Sequence, residues 1–303
     1  MHMAHIMHMY YGMATPNPVQ DAGLIVVADA NLAGAIFWWT LSGNISVERL
    51  HSAWVAAGFD ENLLPSPPTP YEALNRAMHA FQTKRVLARP LGGRKGWALV
   101  EESPTSEGGL EYTTQAIARL IEGELVVEDL GILPPDQIQD RYEYFRHTLT
   151  PTDVSMWLST KLVGLVHAAK LRPTGGVYFV PYNHVAVFKS WAKLLREVSD
   201  HMVYEVPALK SDEAVEAVLA ALIAEADKEI SAMETELDME DLGPKALRTR
   251  GARCDSLCNK LEAYKGLLGR GLENTQTRLE HLQATIVTAA FVEEIANDEV
   301  LGS

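Results

Sequence analysis

Along this chain the spacing of apolar residues changes period several times, and each change marks a boundary between elements. In a first block, about 17–104, the run GLIVVADA from Gly23 to Ala30 reads as a strand, and the aromatic segment Ile36-Phe37-Trp38-Trp39 follows it. A helix signal opens at Ser46, with Val47, Leu50 and Trp54 on one stripe and Gly58 where a left-handed C-terminal cap belongs. After Pro65, Pro67 and Pro68, the run Thr69-Pro70-Tyr71-Glu72 combines a cap, a proline in the first turn and a glutamate three residues on, which is a capping box. Leu74, Ala77, Met78 and Phe81 are the buried face of the helix it starts. The block closes on two strands, KRVLARPL and WALVEE, around the turn GGRKG.

A second block, about 108–130, alternates through LEYTTQAIARLI, turns at Glu122-Gly123 and returns through ELVVEDL, which predicts a β-hairpin. A third, about 134–209, begins with helices. There Thr150-Pro151-Thr152-Asp153 repeats the capping logic ahead of Met156, Leu158, Leu162, Val163, Leu165 and Val166. GGVYFVP then reads as a buried strand, HVAVFKSWAKLLREV as a helix and HMVYEVP as a strand, an order that implies two parallel strands in one sheet.

The fourth block, 211–296, is helical. Ser211, Asp212 and Glu213 start a helix carrying Val215, Leu219, Leu222, Ala226, Met233 and Leu237, and Leu242-Gly243-Pro244 breaks it. A second arm carries Leu247, Cys254, Leu261, Tyr264, Leu268, Thr275, Leu279, Leu282, Ile286 and Ala289 at heptad spacing, with Gly251 and Gly271 on the seam. As one helix of some fifty residues it would extend about 75 Å, roughly twice the first arm. The unmatched seam then needs cover from the body or from a second copy, so Leu261, Leu268, Leu279, Leu282 and Ile286 are the expected self-association residues.

The fold class expected is therefore α+β, in five pieces: a leader (1–16), a winged-helix-like domain with an added β-hairpin (17–130), a small central mixed sheet with helices (131–209), a long C-terminal antiparallel helical hairpin or coiled coil (211–296), and a tail (297–303). At 303 residues with 47% apolar and 22% charged residues, the composition is that of a folded globular chain. The net charge of −14 repels phosphate and membrane surfaces at long range and leaves room only for a local basic patch. The two cysteines, Cys254 and Cys258, share a helical face with no further ligand nearby, which predicts free thiols rather than a disulfide or a metal site. His2, His5 and His8 offer a metal-binding reading, but they fall in a leader ahead of Met13 that is expected to stand apart from the fold. Apolar runs such as Ala33 to Leu41 are too short for a bilayer, so no membrane partner is expected and a reducing cytoplasmic compartment is.

Catalytic chemistry finds no assembled motif. Phosphate-binding loops, GxGxxG, HExxH and GxSxG are missing, and the histidines at 51, 79, 147, 167, 184, 201 and 281 are scattered. Glu101-Glu102, Glu128-Asp129 and Glu293-Glu294 are adjacent in sequence, so their side chains diverge. No catalytic residue, cofactor or metal is expected.

The helix–helix–hairpin order of 46–102 resembles a winged helix, a fold used for duplex DNA. The resemblance implies that the second helix enters the major groove and that Gly92-Gly93-Arg94-Lys95-Gly96 is the wing tip. Independently, the stretch from Arg76 to Lys95 holds six basic residues and no acidic one. The candidate nucleic-acid-binding residues are Asn75, Arg76, His79, Lys84, Arg85, Arg89, Arg94 and Lys95, since Asn and Arg hydrogen-bond base edges and Arg and Lys neutralise phosphates. The competing reading is a solvated hairpin or a protein-binding module. Tyr178 and Phe179, with Arg172 just ahead, offer one ring for base stacking or two for a core. The layout, with GGVYFVP ahead of a helical hairpin, is similar to uncharacterised proteins of phages and other mobile elements, and that similarity carries over no functional residue. The function expected is a non-catalytic, self-associating nucleic-acid-associated protein, DNA ahead of RNA. A scaffold or protein-partner-binding protein is the alternative, and an enzyme of unrecognised type the third.

Overall fold

The structure, a computed structural model, describes residues 31–130, 132–238 and 242–301, without side chains at Arg94, Arg270 and 292–301. The leader and the GLIVVADA run lie outside the described residues. In chain order, β1 (Leu32–Thr40) and the short β2 (Ile45–Ser46) lead into α1 (Val47–Ala56), and α2 (Pro70–His79) precedes the strands β3 (Val86–Pro90), β4 (Gly96–Pro104), β5 (Leu110–Ile121) and β6 (Glu124–Glu128). Next come α3 (Pro135–Arg146), β7 (Thr148–Leu149) and α4 (Pro151–Trp157), which runs through a π turn, Leu158–Leu162, into α5 (Val163–Leu165). The strands β8 (Ala169–Lys170) and β9 (Tyr178–Pro181), the helix α6 (Tyr182–Val198) and the strand β10 (Met202–Leu209) follow, then α7 (Asp212–Leu237), α8 (Pro244–Leu268) and α9 (Glu273–Leu301).

The local signals act as their chemistry requires. Ser46 Oγ accepts from Arg49 N. Thr69–Glu72 and Thr150–Asp153 both close as reciprocal capping boxes. Glu122 and Gly123, at φ +53 and +89, form the two-residue turn between β5 and β6.

Two larger sheets organise the molecule. The central one has the order β10-β1-β9-β8 and every ladder in it is antiparallel. The mixed sheet expected is thus corrected: β9 and β10 do run in the same direction, but β1 lies between them and pairs with both. Gly34 of β1 allows that close approach, since a Cβ there would lie 2.1 Å from the Val180 carbonyl oxygen. One face of this sheet (Ala35, Phe37, Tyr178, Val180, Val203) packs on α1, α4 and α6, where Trp54 meets Trp157 and Trp191 at 5.4 and 6.3 Å. The other face (Ala169, Phe179, Ala208) packs on the C-terminal helices. There the Tyr264 hydroxyl accepts from Ala169 N and donates to the Phe179 carbonyl, fastening α8 to β8 and β9.

The second sheet, β3-β4-β5-β6, is a meander with α2 and α3 on one face, around Leu74, Met78, Trp97, Leu99, Ala116, Ile138 and Tyr142. The cores therefore do not follow the boundary expected near residue 130. α1 belongs to the central core and α2 to the meander core, so the two helices assigned to a winged helix do not share one core with the hairpin. α3 likewise joins the meander and not the central sheet.

The C-terminal segment departs from a two-arm hairpin. Gly269, at φ +54, and the 3₁₀ turn Gly269–Leu272 reverse the chain, so the second arm is two antiparallel helices. Asp255 of α8 meets Gln283 of α9 at 2.8 Å, and Arg253 of α8 meets Glu229 of α7 at 2.8 Å. Leu261, Leu268, Leu279, Leu282 and Ile286 are all buried inside this three-helix bundle. The seam expected to recruit a second copy is covered by its own chain. α9 also runs on through the expected tail to Leu301.

Candidate nucleic-acid interface

The basic stretch folds onto the meander sheet, and the strand register decides where each side chain goes. Directly opposed residues share a face. The row Ala88–Leu99–Ala116 faces the helices, and the next row, Arg89–Ala98–Ile117–Glu128, faces away from them. Gly96–Arg119–Val126 lies on that same outer face. Leu110, Tyr112, Ile121 and Val126 are exposed there, an apolar surface without a helix across it.

β3 is an edge of this sheet. Lys84 and Arg85 stand at its start, Arg89 on its outer face and Lys95 in the turn to β4, all exposed. Among the described residues none of these four makes an ion pair with a carboxylate within 4 Å. The side chain of Arg94, in the same turn, lies outside the described residues. Acidic charge is nearby nonetheless: Glu101 is opposite Val86, and Glu102 N donates to the Arg85 carbonyl. The run from 76 to 95 is purely basic only along the chain; across the ladder, Glu102 stands opposite Arg85, while Glu101 lies on the other face and accepts from Gln115 Nε2.

The three candidates on α2 separate from this edge. Arg76 Nη2 bonds Asp153 Oδ1 at 2.7 Å, and its side chain is only 22% exposed, which removes it from any phosphate. Asn75 Oδ1 is buried without a partner and therefore faces away from solvent. His79 bonds Gln82 through Nδ1 at 2.8 Å and sets its ring edge-on to Trp97. The helix face proposed for the major groove is thus largely engaged by the protein itself, while the edge strand is not.

Arg76 borders a pocket of about 390 Å³ between α2 and α4, lined also by Glu72, Asp153 and Lys161. All four charges are committed. Glu72 accepts from Thr69 N and Oγ1, which holds its carboxyl below the usual range. Asp153 caps Thr150 and pairs with Arg76, and Lys161 Nζ holds the Asn62 and Leu64 carbonyls. These bonds shape the junction and leave no group poised as acid or base.

Elsewhere, His167 and His184 come together, with ring centroids 5.2 Å apart, although 17 residues separate them. Burial, then His184 and Lys260, push the His167 imidazole below its ordinary pKa. Among the described residues no group of three His, Cys, Asp or Glu is placed to hold a metal ion. Cys254 is buried, which pushes its thiol up to about 11 and away from reactivity. Tyr178 and Phe179 are 5% and 1% exposed, so neither ring is offered to a base. Arg119, on the outer face beside the basic edge, was invisible to sequence reasoning because only the register brings it there, where it pairs with Glu128.

Among the described residues no helix is long and apolar enough to cross a membrane. No curated protein and no solved structure matches the chain. A family model, described as a family of unknown function, DUF6744, matches residues 32–296, and the chain belongs to that family.

Proposed function

We propose that this chain is a non-catalytic nucleic-acid-associated protein that meets a phosphate backbone along the β3 edge of the meander sheet. The observation that carries the reading is the set of exposed cations at Lys84, Arg85, Arg89 and Lys95, without ion pairs among the described residues, on an edge strand in a chain of net charge −14. Contacts of this kind neutralise phosphates without reading bases, so the binding is sequence-independent and steeply salt-dependent. The β3–β4 hairpin plays the part of a wing here with α2 packed on its inner face and α1 in the other core, and duplex DNA is the form to test first.

Self-association remains part of the proposal as a source of avidity. It must use surfaces other than Leu261, Leu268, Leu279, Leu282 and Ile286. The test replaces Arg85, Arg89, Arg94 and Lys95 with Ala in the full chain and follows duplex binding by anisotropy across a salt series. Affinity should fall, and the log–log salt slope should flatten by up to about 3 to 4 units if each cation meets one phosphate. Unchanged binding and slope end the reading.

A second reading, a scaffold that binds a protein partner, is favoured by the exposed apolar row Leu110, Tyr112, Ile121 and Val126 on the outer sheet face. No retardation of duplex or single strand at low salt would favour it over the first.

A further inference from the structure

Sequence reasoning considered Tyr178 as a stacking ring, and the structure buries it. Trp39, on β1, stacks on Tyr178 with ring centroids 5.1 Å apart and planes within 8°. Its Nε1 donates to Ser155 Oγ at 3.3 Å, which fixes the indole in its plane. Trp39 is half-buried, and it lines a groove of about 620 Å³ between α4 and the loop that joins β8 to β9. Gly176 of that loop passes beside both rings, and a Cβ there would touch each at 3.5 Å, so position 176 itself puts no side chain against them.

The charge of the groove differs from that of the chain. Its rim carries the hydroxyls of Thr152, Ser155 and Ser159 and the ammonium of Lys170, and among the described residues no Asp, Glu, Asn or Gln lines it. Lys170 is exposed and, among the described residues, forms no ion pair within 4 Å; the exposed Arg172 follows two residues on. A carbohydrate is held by carboxylates and amides that accept from its hydroxyls, and this groove offers none. It presents a fixed aromatic plane backed by a second ring, with a cation beside it.

We infer that this groove binds a nucleotide, the base stacking on Trp39 and the phosphate meeting Lys170. The source of the nucleotide is either free in solution or the exposed end of a single strand. The site shares no residue with the β3 edge, so it stands or falls separately from the proposal above.

The test titrates the full chain with adenosine 5′-monophosphate, with adenosine, and with an eight-residue oligothymidylate, read by calorimetry. The monophosphate should bind more tightly than adenosine. Lys170→Glu, a change at an exposed position, should weaken the monophosphate about 10-fold or more. Trp39→Phe, which keeps a ring on Tyr178, should retain most of the affinity, and Trp39→Leu should lose about 5- to 150-fold, the range of one stacked base. Circular dichroism shows whether either Trp39 variant keeps the fold, and Lys170→Glu carries the test if it does not. Binding of the monophosphate by itself supports a free-nucleotide site, and binding of the oligomer alone, still sensitive to Lys170→Glu, supports a strand-end site. No binding of either at millimolar concentration overturns the inference, as does binding indifferent to Lys170→Glu and Trp39→Leu. Replacing the β3-edge cations with Ala should leave monophosphate binding unchanged, which separates failure at one site from failure at the other.

Discussion

The two larger sheets are built from the same four-strand count and the same antiparallel pairing, yet they solve opposite problems. At β9 the central sheet is covered on both faces, so Tyr178–Pro181 is buried at every position and reads as one apolar run, whereas the edge strand β10 leaves Met202, Tyr204 and Val206 exposed. The meander is covered on one face, and β5 alternates between Ala116 and Ala118 inside and Ile117 and Arg119 outside. A strand without alternation is therefore a sign of helices above and below, and a strand with it points to a surface left for solvent or for a partner. The structural load and the candidate nucleic-acid interface divide along this line.

Substitutions should widen the contrast. Phe179→Ala, in the doubly covered sheet, should cost about 3–5 kcal/mol by urea unfolding, because the cavity forms between strand and bundle. Val126→Thr, on the open face of the meander, should stay within about 0.5 kcal/mol. Comparable losses at the two positions would mean that the outer face is covered after all.

A smaller effect tests how the bundle is held. Tyr264→Phe removes the hydroxyl that joins α8 to β8 and β9 and leaves the Ala169 N–H buried without that partner, for about 1–3 kcal/mol. Hydrogen exchange at Ala169 should accelerate, while amides in β4 and β5 should keep their protection.

The smallest is a pH dependence confined to the central sheet. Burial holds the imidazole of His201 below its ordinary pKa, with Asp200 opposing it. A lowered histidine pKa means that the unfolded chain takes up the proton first. The stabilisation is present above about pH 6.5 and is lost as the pH falls below it. His167 acts in the same direction. Unfolding measured from pH 7.5 to 5 should show falling stability, and His201→Gln should flatten that slope. An equal slope in the variant would assign the acid sensitivity elsewhere.

What could be read in advance follows contact distance along the chain. The capping boxes at Thr69 and Thr150 and the turn at Glu122-Gly123 are set within four residues, and each was legible. The meander, made of neighbouring strands, was legible as two hairpins, although not as one sheet. The central sheet was not, because β1 pairs with strands more than 140 residues later and the apolar pattern records that a face is buried without recording against what. The basic stretch failed in the same way. Its charges are local, but the acidic groups around them are not: Asp153 pairs with Arg76 from 77 residues away, and Glu102 comes opposite Arg85 only through the ladder. At Gly269 the difficulty was different. Heptad spacing continues on both sides of the reversal, and a periodicity that survives a turn conceals it.

That reversal sets how far the molecule can reach. A continuous second arm would have been a spoke of about 75 Å, long enough to tether objects that never touch the body. Folded back at Gly269, its longer half, α9, spans about 44 Å for 29 residues and lies alongside its neighbours. Anything held by the bundle therefore stays within one helix length, about 44 Å, of the central sheet on which the bundle packs.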